Sequence, residues 1–229
     1  MRWQKSLFIV FAAFVVGLVA YVFVYWTSYR SGRNTPGVLE RSAQPPLMAP
    51  NYGEAARLRT PPPNQEMHAG NTLANPNIAY DALLGRHLVV PVAGVKAGDI
   101  KDTFNDERDG GRKHLGTDIL APRGTAVLAF GDGTIAKLFV SKPGGNTIYE
   151  FDPQGEFEYY YAHLDHYAAG LHEGQQVKAG ETIGYVGTTG NAPPDTPHLH
   201  FSIMKLGPEK QWWKGESLDP YPLLKKLLR

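Results

Sequence analysis

The chain has 229 residues, with 23 Lys and Arg against 22 Asp and Glu, a formal net charge of +1 and no cysteine. Near-neutrality supplies no field for a polyanion and speaks against a nucleic-acid partner. The missing cysteine excludes disulfides, thiolate nucleophiles and Cys-based metal centres, so any metal must rest on His, Asp or Glu.

Residues 1–6 precede an uncharged apolar run, residues 7–26. At 1.5 Å per residue this run reaches across a hydrocarbon core of about 30 Å. Trp3, Tyr25, Trp26 and Tyr29 flank it as an interfacial aromatic belt. A cleaved signal peptide would have a shorter apolar region and a small-x-small cleavage site. The run therefore reads as a single-pass membrane anchor. Basic residues flank both sides (Arg2 and Lys5, then Arg30, Arg33 and Arg41), so charge alone does not orient it. Residues 27–87 read as a Pro-rich linker: Pro45-Pro46 and Pro61-Pro62-Pro63 lie among polar residues without hydrophobic periodicity.

From residue 88 the texture changes to short β-rich runs separated by Gly and Pro turns. Strands are expected at Leu88–Val92, Ala126–Phe130, Thr134–Val140, Thr147–Phe151, Phe157–Ala162, Thr182–Val186 and Leu199–Met204. Asp152-Pro153-Gln154-Gly155 predicts a hairpin. No ten-residue helical pattern interrupts the stretch, so the fold class is all-β, with one domain over 88–206. Gly124-Thr125-Ala126-Val127 is echoed by Gly174-Gln175-Gln176-Val177, a weak sign of two related β-motifs. In the tail, 207–229, a short basic amphipathic helix is expected after Asp219. It should pack on the domain through Leu223, Leu224, Leu227 and Leu228.

Eight histidines are available, and four candidates cluster in motifs or beside them. His114 and Asp118 form His-x3-Asp, and His198 and His200 form His-x-His. On a strand, residues two apart share a face, so His198 and His200 can enter one cleft while Leu199 and Phe201 enter the core. His114 and Asp118 could share a face in the same way. At this His content roughly 0.3 His-x-His pairs arise by chance, so either motif alone is near noise and their co-occurrence carries the weight. Two imidazoles and a carboxylate suit Zn²⁺ and leave a position open, the plan of a catalytic zinc site. His163, in Tyr161-Ala162-His163-Leu164, is a further candidate for proton transfer. No His-Glu-x-x-His is present, which excludes the helical zinc-protease plan.

His114-x3-Asp118, Tyr161-Ala162-His163-Leu164, Gly187-Thr188-Thr189-Gly190-Asn191 and His198-Leu199-His200-Phe201 follow one another in the chain. Together they resemble the lysostaphin/LytM-type zinc endopeptidases of bacterial cell walls, over roughly residues 88–206. The resemblance implies a β-sheet groove built from two related β-motifs. It implies Zn²⁺ held by His114, Asp118 and His200, with His163 and His198 as the catalytic histidines. It also implies hydrolysis of peptide cross-links in peptidoglycan. Such a role needs the domain outside the cytoplasm, with residues 1–6 on the cytoplasmic side of a bacterial inner membrane, residues 7–26 crossing it and the peptidase domain in the periplasm or outside. The partners are then the peptidoglycan peptide, the membrane through the N-terminal helix, and other cell-wall enzymes.

Two departures stand out. Asn191-Ala192-Pro193-Pro194-Asp195-Thr196-Pro197 is richer in Pro than the usual short turn, and no Tyr shortly precedes His114. Arg108 or Arg112 could instead meet a stem-peptide carboxylate, against the plainer reading of a solvated charged loop. Two other classes compete: a catalytically silent regulator that activates other hydrolases, and a passive wall-binding module using Tyr159–Tyr161, Trp212 and Trp213. The intact set of five site residues favours the enzyme.

Overall fold

The computed structural model describes residues 72–228, apart from 97, 109 and 110. The expected anchor over 7–26 and most of the expected linker lie outside the described residues. Among the described residues no helix is long and apolar enough to cross a membrane.

In chain order the elements are α1 (Pro76–Leu84), β1 (Glu107–Arg108), β2 (Arg112–Lys113), β3 (Thr117–Leu120), β4 (Ala126–Leu128), β5 (Gly133–Ser141) and β6 (Gly145–Phe151). They continue with β7 (Phe157–Tyr167), β8 (Gln176–Val177), β9 (Thr182–Val186), β10 (His198–Leu206), β11 (Gly215–Leu218) and α2 (Tyr221–Leu227). Nine of these strands form one sheet with the path β11-β10-β7-β6-β5-β8, β3 pairing with β10 and β9 joining β4 to β7. The pairings within it are antiparallel. The hairpin β6–β7 turns through Gly155, whose φ of +61° suits a residue without Cβ. β1 and β2 form a separate two-stranded ribbon.

Alternation along β7 explains why both faces of the sheet are covered. Phe157, Tyr159 and Tyr161 enter the main core with Ile148, Leu199, Phe201 and Ile203. Tyr160 and Ala162, one residue out of phase, enter a second cluster with Tyr149, Phe151, Trp212 and Trp213. Each large apolar side chain so buried contributes about 1.5–3 kcal/mol. This corrects the notion of an aromatic wall-binding surface. Trp212 and Trp213 are 1% and 6% exposed, and Tyr159 to Tyr161 are buried, so these rings are core on both faces.

The main face is closed by segments that flank the strand-rich part. Residues 72–87 were expected to be linker, yet they include α1, which starts on Pro76 and buries Ala79 and Leu83. Proline suits a first helical turn because that N–H has no intrahelical partner. Thr72 bridges Ser217, and Arg86 pairs with the buried Asp152. The expected strand Leu88–Val92 is reduced to two isolated bridges, Leu88 to Gly131 and Val92 to Val127. At the other end α2 buries Leu223 and Leu224, packing on the domain.

Candidate metal centre

β3 and β10 lie side by side, with Asp118 opposite His200 and Leu120 opposite His198. Opposite residues on paired strands share a face. That face, on the side away from the main core, carries Asp118, His198 and His200 into one groove. Leu199 and Phe201 point the other way and are fully buried.

His114 does not share the strand with Asp118, contrary to the simple alternation argument. It precedes β3, and Leu115 at φ +56° turns the chain between them. The turn folds His114 back over the strand end. Its Nε2 lies 2.9 Å from Asp118 Oδ1 and 2.8 Å from His200 Nδ1, and His200 Nδ1 is 3.2 Å from Asp118 Oδ1.

Hydrogen bonds on the outer side decide what these atoms offer. His114 Nδ1 donates to the Thr103 carbonyl at 2.8 Å, which leaves Nε2 as a lone pair. Ser202 Oγ donates to the Leu115 carbonyl, so it accepts from His200 Nε2 at 3.0 Å and leaves Nδ1 as a lone pair. Burial opposes ionisation of Asp118, but without a metal a proton on the facing nitrogens of His114 and His200 lets them donate to the carboxylate, which outweighs burial and holds the carboxyl well below the usual range; a bound cation would take the place of those protons. Two imidazole lone pairs and a carboxylate converge, and they require a cation among them. Zinc bonds of about 2.0–2.2 Å put tetrahedral ligand atoms roughly 3.3 Å apart, close to the spacing here. The donor set therefore fits a zinc ion, with the outer hydrogen bonds fixing each ligand's tautomer.

Two further histidines complete the groove. His163 belongs to β7, where alternation would send it into the main core. The ladder with β6 slips instead: Asn146 faces Leu164 while Ile148 faces Tyr161. The extra residue forms a bulge with His163 at φ +61°, which re-aims the imidazole and returns Leu164 to the core. Its Nδ1 donates to the Thr189 carbonyl at 2.9 Å and leaves Nε2 towards the groove. His198 is set likewise, its Nδ1 donating to the Thr196 carbonyl at 2.8 Å. Its Nε2 lies 3.8 Å from Asp118 Oδ1. The His163 and His198 rings are 4.9 Å apart. Burial first, then the charge of His200, pushes the His163 pKa down to about 4.

Glycines make the crowding possible. A Cβ on Gly116 would lie 2.6 Å from His200 Cε1 and 2.7 Å from Ser202 Oγ. A Cβ on Gly145 would collide with Thr189, the residue that holds His163. The groove encloses about 1110 Å³ and is lined by all five of His114, Asp118, His163, His198 and His200. Tyr160 forms part of its floor, 5.8 Å from the His200 ring.

A sequence model described as Peptidase family M23 matches residues 112–220, a span holding all five. The catalytic domain of the antimicrobial peptidase lysostaphin from Staphylococcus simulans is 32% identical, with 95% of that domain and 56% of this chain covered, at a TM-score of 0.47. The chain belongs to peptidase family M23. Another relative, an L-Ala–D-Glu endopeptidase of Bacillus subtilis, is 37% identical over 132 residues, 55% of this chain. The crystal structure of LytM from Ruminococcus gnavus is 30% identical with a TM-score of 0.51, covering 62% of this chain and 60% of that one. The chain spans 39% of the length of the B. subtilis enzyme.

The supporting residues around the M23 site were not read from the sequence. Ser202 carried a usable signal, being two residues beyond His200 on the same strand face. Thr103 carried none: it precedes the matched span, and its contacts with His114 and with the Asp118 amide arise only in the folded chain.

Proposed function

We propose that this chain is a membrane-anchored zinc metalloendopeptidase that hydrolyses peptide cross-links of bacterial peptidoglycan, with its M23 domain on the periplasmic side of the inner membrane. One observation carries the reading: five side chains meet in a single groove, three as a convergent N,N,O donor set and two as imidazoles locked at Nδ1. When bound, zinc supplies a Lewis acid for the scissile carbonyl and lowers the pKa of its water to about 7.

The protein's own part is orientation and proton handling. His114 and His200 present lone pairs, and Asp118 remains ionised. His163 and His198 stand together on the groove side of that set. Each has Nδ1 fixed by a carbonyl, so Nε2 is the atom that takes a proton and returns it to the leaving amine. The rigid strands β7 and β10 hold both rings, which keeps the reacting geometry without reorganisation. The anchor rests on the length and aromatic flanks of residues 7–26.

The test is mass spectrometry of products released from purified sacculi by the full chain, beside samples carrying a chelator or His200→Ala. Metal-dependent release of uncrosslinked muropeptides is the expected result, and the product masses name the bond. No products despite one bound zinc per chain would overturn the enzyme in favour of a regulator. Membrane fractionation of the full chain against a chain starting at residue 31 tests the anchor: both in the soluble fraction would refute it.

A further inference from the structure

We infer that Arg108 is a positioning residue of the metal centre: it keeps one oxygen of Asp118 for itself, so that the carboxylate gives the metal the other oxygen alone and a coordination position stays open. The inference deepens the endopeptidase reading and rests on it.

The two oxygens of Asp118 have different neighbours. Oδ1 faces the other donors, 2.9 Å from His114 Nε2, 3.2 Å from His200 Nδ1 and 3.8 Å from His198 Nε2. Oδ2 accepts from Arg108 Nη2 at 2.6 Å, a short charge-assisted bond. The backbone is held separately, the Asp118 amide donating to Thr103 Oγ1 at 3.1 Å. What remains soft is the rotation of the carboxylate about its terminal torsion, and the guanidinium fixes it. The two side chains are 40% and 20% exposed, so the pair adds little to global stability and its effect is local.

One hairpin delivers both Arg108 and His114. In the ribbon β1–β2, Glu107 lies opposite Lys113 and Arg108 opposite Arg112. The pairing runs on towards the domain: the His114 amide donates to the Asp106 carbonyl and the Leu115 amide to the Phe104 carbonyl, both at 2.9 Å. Phe104 is buried and anchors the base. One arm thus supplies the guanidinium and the other a metal ligand, and both reach the same carboxylate. The carboxylate that Arg108 meets therefore belongs to the chain itself, where one from the substrate was expected.

A carboxylate can give a metal one oxygen or two. With two, Asp118 would fill the position that a catalytic zinc site keeps open. The guanidinium also sets a positive charge beside a divalent cation, which lowers metal affinity. A clamp that costs affinity and preserves an open position serves turnover rather than metal retention.

The experiment compares the full chain with Arg108→Gln. Turnover of cross-linked muropeptides should fall about 10-fold or more in kcat, with little change in KM. Zinc affinity, from competition with a chromophoric chelator, should be no weaker than wild type. Cobalt loaded in place of zinc reports the coordination number without turnover, and its visible bands should weaken in Arg108→Gln as the second oxygen joins. Arg108→Lys keeps a cation near Oδ2 and should restore part of both kcat and band intensity. Coincident cobalt spectra, an unchanged kcat, or zinc affinity falling in step with kcat would overturn the inference while leaving the endopeptidase standing. The spectral change in a protein whose wild type cleaves nothing would support the inference and overturn the endopeptidase.

Discussion

Replacing Gly116 by alanine isolates the seat of His200. Gly116 is not in the left-handed region, so its backbone accepts alanine and the cost falls on what the new methyl touches. That methyl would lie 2.6 Å from His200 Cε1 and 2.8 Å from Nε2, whereas ordinary contact begins at 3.4 Å. The imidazole must therefore retreat by about 0.8 Å, the difference between these distances. Metal–ligand distances tolerate only about ±0.2 Å. Ser202 Oγ, also in the way at 2.7 Å, cannot follow without losing the Leu115 carbonyl. Zinc affinity should fall about 100-fold, equivalent to about 2.8 kcal/mol. The metal-free protein should lose about 1–3 kcal/mol from overpacking. Competition titration against a chromophoric zinc chelator measures the first, and urea unfolding in chelator the second. Affinity within threefold of wild type would refute the reasoning, because the ring would then have had room to spare.

Ser202→Ala removes the acceptor of His200 Nε2–H without adding bulk, and the same titration should show about a 10-fold loss of zinc affinity; an unchanged affinity would mean that the tautomer is fixed by something else. His163→Ala should keep zinc affinity within about threefold while lowering turnover by about 100-fold or more; loss of zinc in equal measure would make it a ligand instead. Glu150 concerns stability. Burial, set against its hydrogen bond from Tyr161 and aided by Asp132 and Asp152, raises its pKa from 4.5 to about 8. Its contribution is thus fully present below pH 4.5 and is lost as pH rises through about 8. Urea unfolding at pH 5 and pH 8 should show a decline that Glu150→Gln reduces by roughly 3 kcal/mol; identical declines would contradict it.

Much of the sheet was legible because its strands announce themselves by alternation and by Gly or Pro turns. Thr182–Val186 matches β9, and the Gly155 hairpin joins β6 to β7. Elements whose side chains are polar or whose ladders are very short escaped. β1 and β2 read as a charged loop since neither buries a side chain. The helix α1 was hidden in Pro- and Asn-rich composition, although Pro76 marks its first turn. The groove residues were legible by type and spacing, and β10 places His198 and His200 on one face by alternation alone. The route of His114 and His163 into that groove was not. One depends on the left-handed Leu115 and the other on a bulge, and both break the periodicity on which sequence reasoning relies.

The ligand set joins residues far apart along the chain: His114 and Asp118 are 86 and 82 residues from His200. Closing so long a loop has a large entropic cost until the strands between them have paired. An ion offered to the unfolded chain meets only the local His114 and Asp118, or His198 and His200, and neither pair makes the full site. Metal thus enters late and acts by mass action, adding about 2.7 kcal/mol to the native state at 100 times its dissociation constant. Interactions absent from the folding transition state slow unfolding and leave refolding unaltered. Stopped-flow refolding traces with and without zinc should overlay while unfolding in zinc slows, and faster refolding in zinc would show instead that the ion helps the sheet to nucleate.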